Sequence, residues 1–160
     1  MHQGEDHAAP QGAARPVTIP DNFQSFVAAC RWGHLAIIRS AVNASVVDVN
    51  RHGLNGTTPL IEAAGSGHLE VMKFLMDKGA DPRQVEGTGR NILHVASMRG
   101  DVQMLTYILE NATTIHIETT TDEGMTALDW AQYWEREEVK TLLLNRGALP
   151  SSVKSFSELL

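Results

Sequence analysis

The sequence predicts an all-α protein, a solenoid of helix-turn-helix units joined by extended, β-hairpin-like fingers. Two observations carry this prediction. Leu60, Ala63 and Ala64 form an apolar stripe at helical spacing, and equivalent residues recur as Leu93 and Ala96, a step of 33 residues. Because helices this short are marginal in isolation, the units must stack on one another to be stable.

Residues 57–82 give the clearest unit. Thr58 is placed to cap the first helix, and Pro59 fits the first helical position, where no amide donor is needed. Gly67 suits the left-handed turn that ends this helix, and Gly79 closes the second helix in the same way. The stretch therefore reads as a helix, a tight turn and a second helix.

The other units are more divergent copies. The turn glycine recurs as Gly33 and Gly100, but Glu135 stands at that place in the fourth unit, so we expect its turn to be the least regular. Asp21 is the candidate cap of the first helix. We expect repeats over about residues 21–52, 53–85, 86–120 and 121–149. Residues 1–20 carry few large apolar side chains, which predicts disorder, and residues 150–160 form a short tail.

The motifs of the second unit resemble the ankyrin repeat family. They are Thr58-Pro59-Leu60 opening a helix pair, Gly67-His68-Leu69 at the turn, and Gly79-Ala80-Asp81 at the end, with a period near 33. The resemblance covers about residues 21–148, and the second repeat matches best. It implies a non-catalytic module that binds a partner protein through a concave groove and through the finger tips.

The resemblance also supplies candidate binding residues. It places the residues just before each turn on the concave groove, where we expect contacts from Arg31, Trp32, Ser66, Met98, Arg99, Tyr133 and Trp134. Several of these are of the types enriched in interface hot spots. A competing interpretation is that Trp32 and Trp134 cover the ends of the stack. The candidate finger-tip contacts are Leu54, Asn55, Thr57, Thr88, Arg90, Glu123 and Met125, although turn sterics alone also explain glycine-rich tips.

Composition excludes several partner classes. The net charge is −6 and no basic cluster offsets it, so we expect no nucleic-acid binding. No apolar run approaches the roughly 20 residues of a membrane span, and the first residues do not resemble a signal peptide. Cys30 is the only cysteine, which we expect to be a buried, small apolar residue. We therefore expect a monomer of the cytoplasm, the nucleus or both.

No catalytic residue, metal ligand or cofactor site is predicted. No two of the seven histidines lie at i+3 or i+4, and one cysteine cannot complete a metal site. The chain has no nucleophile elbow and no phosphate-binding glycine loop. We therefore predict that the protein is not an enzyme.

Two alternative functions stay open. Size and acidity are similar to those of the ankyrin-type inhibitors of cyclin-dependent kinases, although in that family the second repeat has a shortened first helix and residues 58–66 here predict a full one. The second alternative is a targeting or scaffold subunit that engages partners through the first 20 residues or through Phe156, Leu159 and Leu160.

Overall fold

The computed structural model describes residues 22–151. Within this range lie eight α-helices, α1 (Phe23–Trp32), α2 (Leu35–Asn43), α3 (Pro59–Ser66), α4 (Leu69–Asp77), α5 (Ile92–Arg99), α6 (Val102–Asn111), α7 (Ala127–Tyr133) and α8 (Glu137–Asn145). A short 3-10 helix covers Leu54–Gly56, and no β-strand occurs among the described residues. The prediction of an all-α fold is confirmed.

The helices stack as pairs in chain order. The inner helices are α1, α3, α5 and α7, and consecutive inner helices pack on each other. Each inner helix also packs on the outer helix that follows it in the chain. Outer helices α2 and α4 touch, as do α6 and α8. Because each pair contacts mainly its neighbours, the predicted solenoid architecture is confirmed.

Side-chain caps fix where the inner helices begin. The Oγ1 of Thr58 accepts the backbone N–H of Ile61 at 3.2 Å, as predicted. Helix α1 begins at Phe23, and its cap is Asn22, whose Oδ1 accepts the N–H of Ser25 at 2.8 Å. The prediction of Asp21 as the cap is therefore wrong by one residue, since the cap must directly precede the first helical residue.

The turn of the fourth repeat is regular despite its lack of glycine. Gly67 ends α3 with φ +81°, and Glu135 takes the equivalent left-handed conformation with φ +55°. The next residue then closes the same bond in both repeats, since Arg136 N–H donates to Ala131 O at 2.8 Å and His68 N–H donates to Ala63 O at 2.9 Å. Stacking thus holds a side-chain-bearing residue in a conformation that costs about 1–2 kcal/mol.

The connections between repeats end in closed tips, here called fingertip 1 (residues 53–57), fingertip 2 (86–90) and fingertip 3 (121–125). Each is closed by an N–H···O=C bond between its first and last residues, at 2.7, 3.0 and 2.9 Å respectively. Neighbouring tips are also joined, because Gly87 N–H donates to Asn55 O at 2.8 Å and Asp122 N–H donates to Thr88 O at 3.0 Å. The tips therefore form one continuous edge.

The last helix pair has exposed or half-buried polar side chains at positions where the preceding pairs bury small or apolar ones. Ala64 and Ser97 are fully buried, whereas Gln132 at the equivalent position of α7 is exposed. Met72 in α4 is fully buried, whereas the equivalent Lys140 in α8 is half-buried. Polar outer faces of this kind are typical of terminal repeats, which keep a stack soluble.

Candidate protein-binding site

The first depression on the inner-helix side, here called the concave cleft, has a volume of about 490 Å³. It lies between α1, α3 and the first two fingertips, over an apolar floor of Val27, Ile61 and Val95. Six predicted contact residues line it together, namely Arg31, Ser66, Leu54, Asn55, Thr57 and Arg90. Groove and fingertip residues of the first three repeats therefore share one surface.

The second depression, here called the rim groove, has a volume of about 890 Å³. It lies where α5 turns into α6 and α7 turns into α8, and it is lined by three predicted residues, Met98, Arg99 and Trp134. Gly65 and Val95 line both depressions. The cleft and the groove therefore adjoin and form one extended surface.

Two predicted aromatic residues line neither of these depressions. Trp32 is 69% exposed at the end of α1, and Tyr133 is 68% exposed at the end of α7. The Tyr133 ring packs edge-to-face between Trp130 and Trp134, with centroid distances of 5.9 and 5.4 Å. An aromatic cluster thus stands beside the rim groove, and Trp32 stands three repeats away.

Two of the remaining fingertip candidates, Thr88 and Glu123, lie near Trp130. Thr88, Arg90 and Glu123 line a small cavity of about 110 Å³ together with this half-buried side chain. Met125 closes fingertip 3 through its carbonyl oxygen and is itself half-buried. The indole N–H of Trp130 is buried and has no hydrogen-bond partner within the described range.

An inter-repeat ion pair fixes Arg31 in the concave cleft. Its Nε and a terminal nitrogen bond to the two carboxylate oxygens of Glu62 at 2.9 and 3.1 Å. Such bidentate pairs hold the guanidinium in one orientation. Glu62 was not predicted as a site residue, because a partner 31 positions away in the chain gives no local signal.

Glu86 organises fingertip 2. Its carboxylate accepts hydrogen bonds from the backbone N–H and the hydroxyl of Thr88, and from the backbone N–H and the Nε of Arg90. Partial burial acts to raise the pKa of Glu86, but these hydrogen bonds outweigh it and lower the pKa to about 2. The predicted contacts Thr88 and Arg90 are thus held in place by a residue that was not predicted.

Side chains from one repeat cap the inner helix of the preceding repeat. Nε2 of His68 lies 2.9 Å from the carbonyl oxygen of Arg31, near the end of α1. Nε of Arg136 donates to the carbonyl oxygen of Met98 at 2.9 Å, near the end of α5. Carbonyls at a helix end lack intrahelical partners, so these bonds satisfy them and tie neighbouring repeats together.

Two properties of the described part of the chain bear on other classes of function. No three His, Cys, Asp or Glu side chains between residues 22 and 151 cluster as a metal site would. Nor does any helix in that range have the length and apolar character needed to cross a membrane.

These features define a helical-repeat protein of the solenoid class, with an open surface along its inner helices. A family profile described as ankyrin repeats in three copies matches residues 12–86 and 73–153. The chain therefore belongs to the ankyrin repeat family, as the motifs of the second repeat predicted. Proteins of this family are modules for protein interaction.

Curated relatives match across the repeats. NF-kappa-B inhibitor delta of Mus musculus is 29% identical over 123 residues, covering 77% of this chain and 34% of the relative. Palmitoyltransferase AKR1 of Lachancea kluyveri is 32% identical over 125 residues, covering 75% and 17%. NF-kappa-B inhibitor cactus of Drosophila yakuba is 31% identical over 87 residues, covering 54% and 18%. The chain thus spans about a third or less of the length of each of these relatives.

Proposed function

We propose that the chain is a non-catalytic module that holds a partner protein against the concave cleft, the rim groove and the fingertips. The observation that carries the proposal is that the two depressions adjoin at Gly65 and Val95. Together they offer a surface that crosses several repeats, rather than a closed pocket sized for a small molecule. An extended surface of this kind suits a protein ligand.

The side chains on this surface support the proposal. Trp134 is 47% exposed in the wall of the rim groove, beside Met98 and Arg99. Exposed aromatic side chains next to arginine and methionine are the composition of interface hot spots. Trp32 and Tyr133, which are more exposed still, extend the surface at its two ends. A partner that covers them would remove apolar surface from water.

Other features favour protein over nucleic acid as the partner. The chain carries a net charge of −6, and Arg31 and Arg90 in the concave cleft are each paired with a carboxylate of their own. Few cations are therefore available for phosphates. We further propose that the chain is a monomer, because its last repeat has a polar face. We also propose that it needs no cofactor and acts in the cytoplasm or nucleus.

The names of the relatives and the length of α3 bear on the alternative functions. Two of them are named as NF-kappa-B inhibitors, which supports an inhibitory role achieved by binding. A kinase inhibitor of the ankyrin type is less favoured, because α3 has eight residues, the same length as α5, and is not shortened. The relative named as a palmitoyltransferase is covered over only 17% of its length, so it gives little support to catalysis here.

Quantitative affinity capture tests the proposal. The tagged full chain is compared with the double variant Leu54→Ala, Trp134→Ala, which alters both depressions, and with Leu144→Ala, an exposed residue of α8 that lines neither. We expect a protein enriched by the wild type and by Leu144→Ala to be lost with the double variant. Equal capture by all three chains would contradict the proposal.

A second capture tests the scaffold alternative. A chain without residues 1–20 and 151–160 keeps both depressions but lacks both ends. If the partner binds the repeat surface, the shortened chain retains it. Loss of the partner from a shortened chain that still unfolds cooperatively would favour the targeting or scaffold function instead.

A further inference from the structure

Two arginine side chains of the rim groove lie over turn glycines of the preceding repeats. A Cβ placed on Gly67 would come within 2.5 Å of Nε of Arg99, and a Cβ on Gly100 would come within 2.7 Å of Cδ of Arg136. Because glycine has no Cβ, each turn leaves room for the arginine side chain of the next repeat. The backbone thus positions two guanidinium groups along one groove.

The bonds of these guanidinium groups leave most of their donors available. Arg136 uses Nε on the carbonyl of Met98, and its terminal nitrogens have no partner within residues 22–151. Among the described residues, Arg99 contacts the carbonyl of Gly65 at a long 3.5 Å, and its Nε lies 4.0 Å from Oδ2 of Asp101. Guanidinium donors are arranged to bind carboxylates in pairs, so both groups are poised for an acidic ligand.

The acidic residues of the groove do not cancel this preference. Oδ1 of Asp101 accepts the N–H of Met104 and caps α6. Glu138 lies in the first turn of α8, where the helix dipole stabilises a negative charge. The other oxygen of Asp101, Oδ2, lies 4.0 Å from Nε of Arg99, and Glu138 forms no ion pair with either arginine within residues 22–151. The terminal nitrogens of both guanidinium groups therefore stay available.

The order of residues along the stack sets the pattern of the ligand. Arg99 lies over the turn of the second repeat, Arg136 over that of the third, and Trp134 in the fourth. In an extended segment, alternate side chains lie on one face about 7 Å apart, close to the spacing of about 8–10 Å between packed helices. Two acidic residues followed by an apolar residue, at alternate positions, therefore match the groove.

We propose that the rim groove binds an extended acidic segment of a protein partner, with alternate carboxylates on Arg99 and Arg136 and an apolar side chain against Trp134. This inference rests on the proposed function and names the partner chemistry at one of its two depressions. The concave cleft, where Arg31 and Arg90 are paired with carboxylates of this chain, has no such preference.

The three tryptophan indole N–H signals of the full chain provide the test by nuclear magnetic resonance. The probe is the capped peptide Gly-Glu-Ser-Glu-Ser-Leu-Gly, and the matched control has Gln at both Glu positions. We expect the Glu peptide to shift the Trp134 signal in a saturable way and to leave the Trp32 signal unmoved. The Gln peptide should bind at least about tenfold more weakly, as when charge-assisted hydrogen bonds are lost.

Protein variants complete the test. Arg99→Gln and Arg136→Gln should each weaken the Glu peptide by about tenfold or more, whereas Arg146→Gln, which removes the same charge at the far end of α8, should not. Equal binding of the two peptides would overturn the acidic preference and leave the proposed function standing. An unmoved Trp134 signal at millimolar peptide would also overturn the inference. The proposed function itself fails only in the capture experiment, if the cleft and groove variant still retains the partner.

Discussion

The imidazole of His68 occupies the space that a side chain on Gly33 would need, since a Cβ on Gly33 would lie 2.5 Å from Nδ1 of His68. The same ring bonds through Nε2 to the carbonyl oxygen of Arg31 at 2.9 Å. Gly33 is in the left-handed conformation, with φ +73°. The glycine therefore serves both its own turn and the packing of the next repeat.

Gly33→Ala should destabilise the fold by about 2–4 kcal/mol, because it adds a steric clash with His68 to the strain of a left-handed alanine. The matched control is Gly79→Ala, where φ is +89° but, among residues 22–151 and apart from the adjacent residues, no atom lies within 4 Å of the added Cβ. That change should cost only about 1–2 kcal/mol. Urea unfolding of both variants gives the comparison, and equal losses would show that the His68 contact is unimportant.

Glu135→Gly should stabilise the fold by about 1 kcal/mol. Glu135 has φ +55°, a conformation that glycine adopts without the steric cost borne by other residues. Glu137→Gly, at the first residue of α8, is the matched control and should destabilise by up to about 1 kcal/mol because glycine is a poor helix former. Denaturant midpoints that move in the same direction for both variants would contradict this account of the fourth turn.

The regular part of the fold could be predicted because its causes are local. Thr58, Pro59 and Gly67 specify the beginning and end of a helix by their own chemistry, and the structure has α3 at those bounds. The periodic apolar stripe then requires neighbouring pairs to pack. Glu135 led us to expect an irregular fourth turn, but the turn is regular. Packing of the helices on either side overrides the conformational preference of this residue.

The details of the candidate site were harder to predict because they depend on contacts between repeats. Glu86 fixes fingertip 2, and Arg136 caps a helix 38 positions earlier in the chain. Neither residue lies in a motif that marks it as special. His68 was predicted to be a turn residue, and its bond to Arg31 becomes visible only when the repeats are stacked.

Stability should fall as the pH falls below about 6.5, through His94. Burial lowers the pKa of His94 below its usual value of 6.5, although its hydrogen bond to the Thr119 carbonyl at 2.8 Å opposes the shift. Nδ1 accepts the N–H of Asn91, so the ring must be neutral, with its hydrogen on Nε2. Below the unfolded pKa, protons bind the unfolded chain preferentially, which favours unfolding.

The measurement is the urea midpoint of the wild type and of His94→Gln at pH 8 and at pH 5.5. The amide can still accept and donate, but it does not titrate in this range. We expect the wild type to lose more stability than the variant on acidification, because contributions from other histidines are shared by both chains. An identical loss in the two chains would exclude His94 as the cause.

Cys30 should not react with thiol reagents in the native protein. The side chain is fully buried, and burial raises the pKa of the thiol to about 12, so little thiolate forms at neutral pH. Reaction with a disulfide reagent should follow the rate of global unfolding and speed up in urea. Rapid labelling in the absence of denaturant would mean that α1 opens independently of the stack.

The most direct test of the binding surface is Trp134→Ala, with partner affinity and denaturant midpoint measured on the same samples. Trp134 is 47% exposed, so its removal should leave the midpoint nearly unchanged. Loss of a hot-spot tryptophan should weaken binding by about 2 kcal/mol or more, roughly 30-fold. Unchanged affinity together with a loss of about 3–5 kcal/mol of stability, as for a buried tryptophan, would contradict the account.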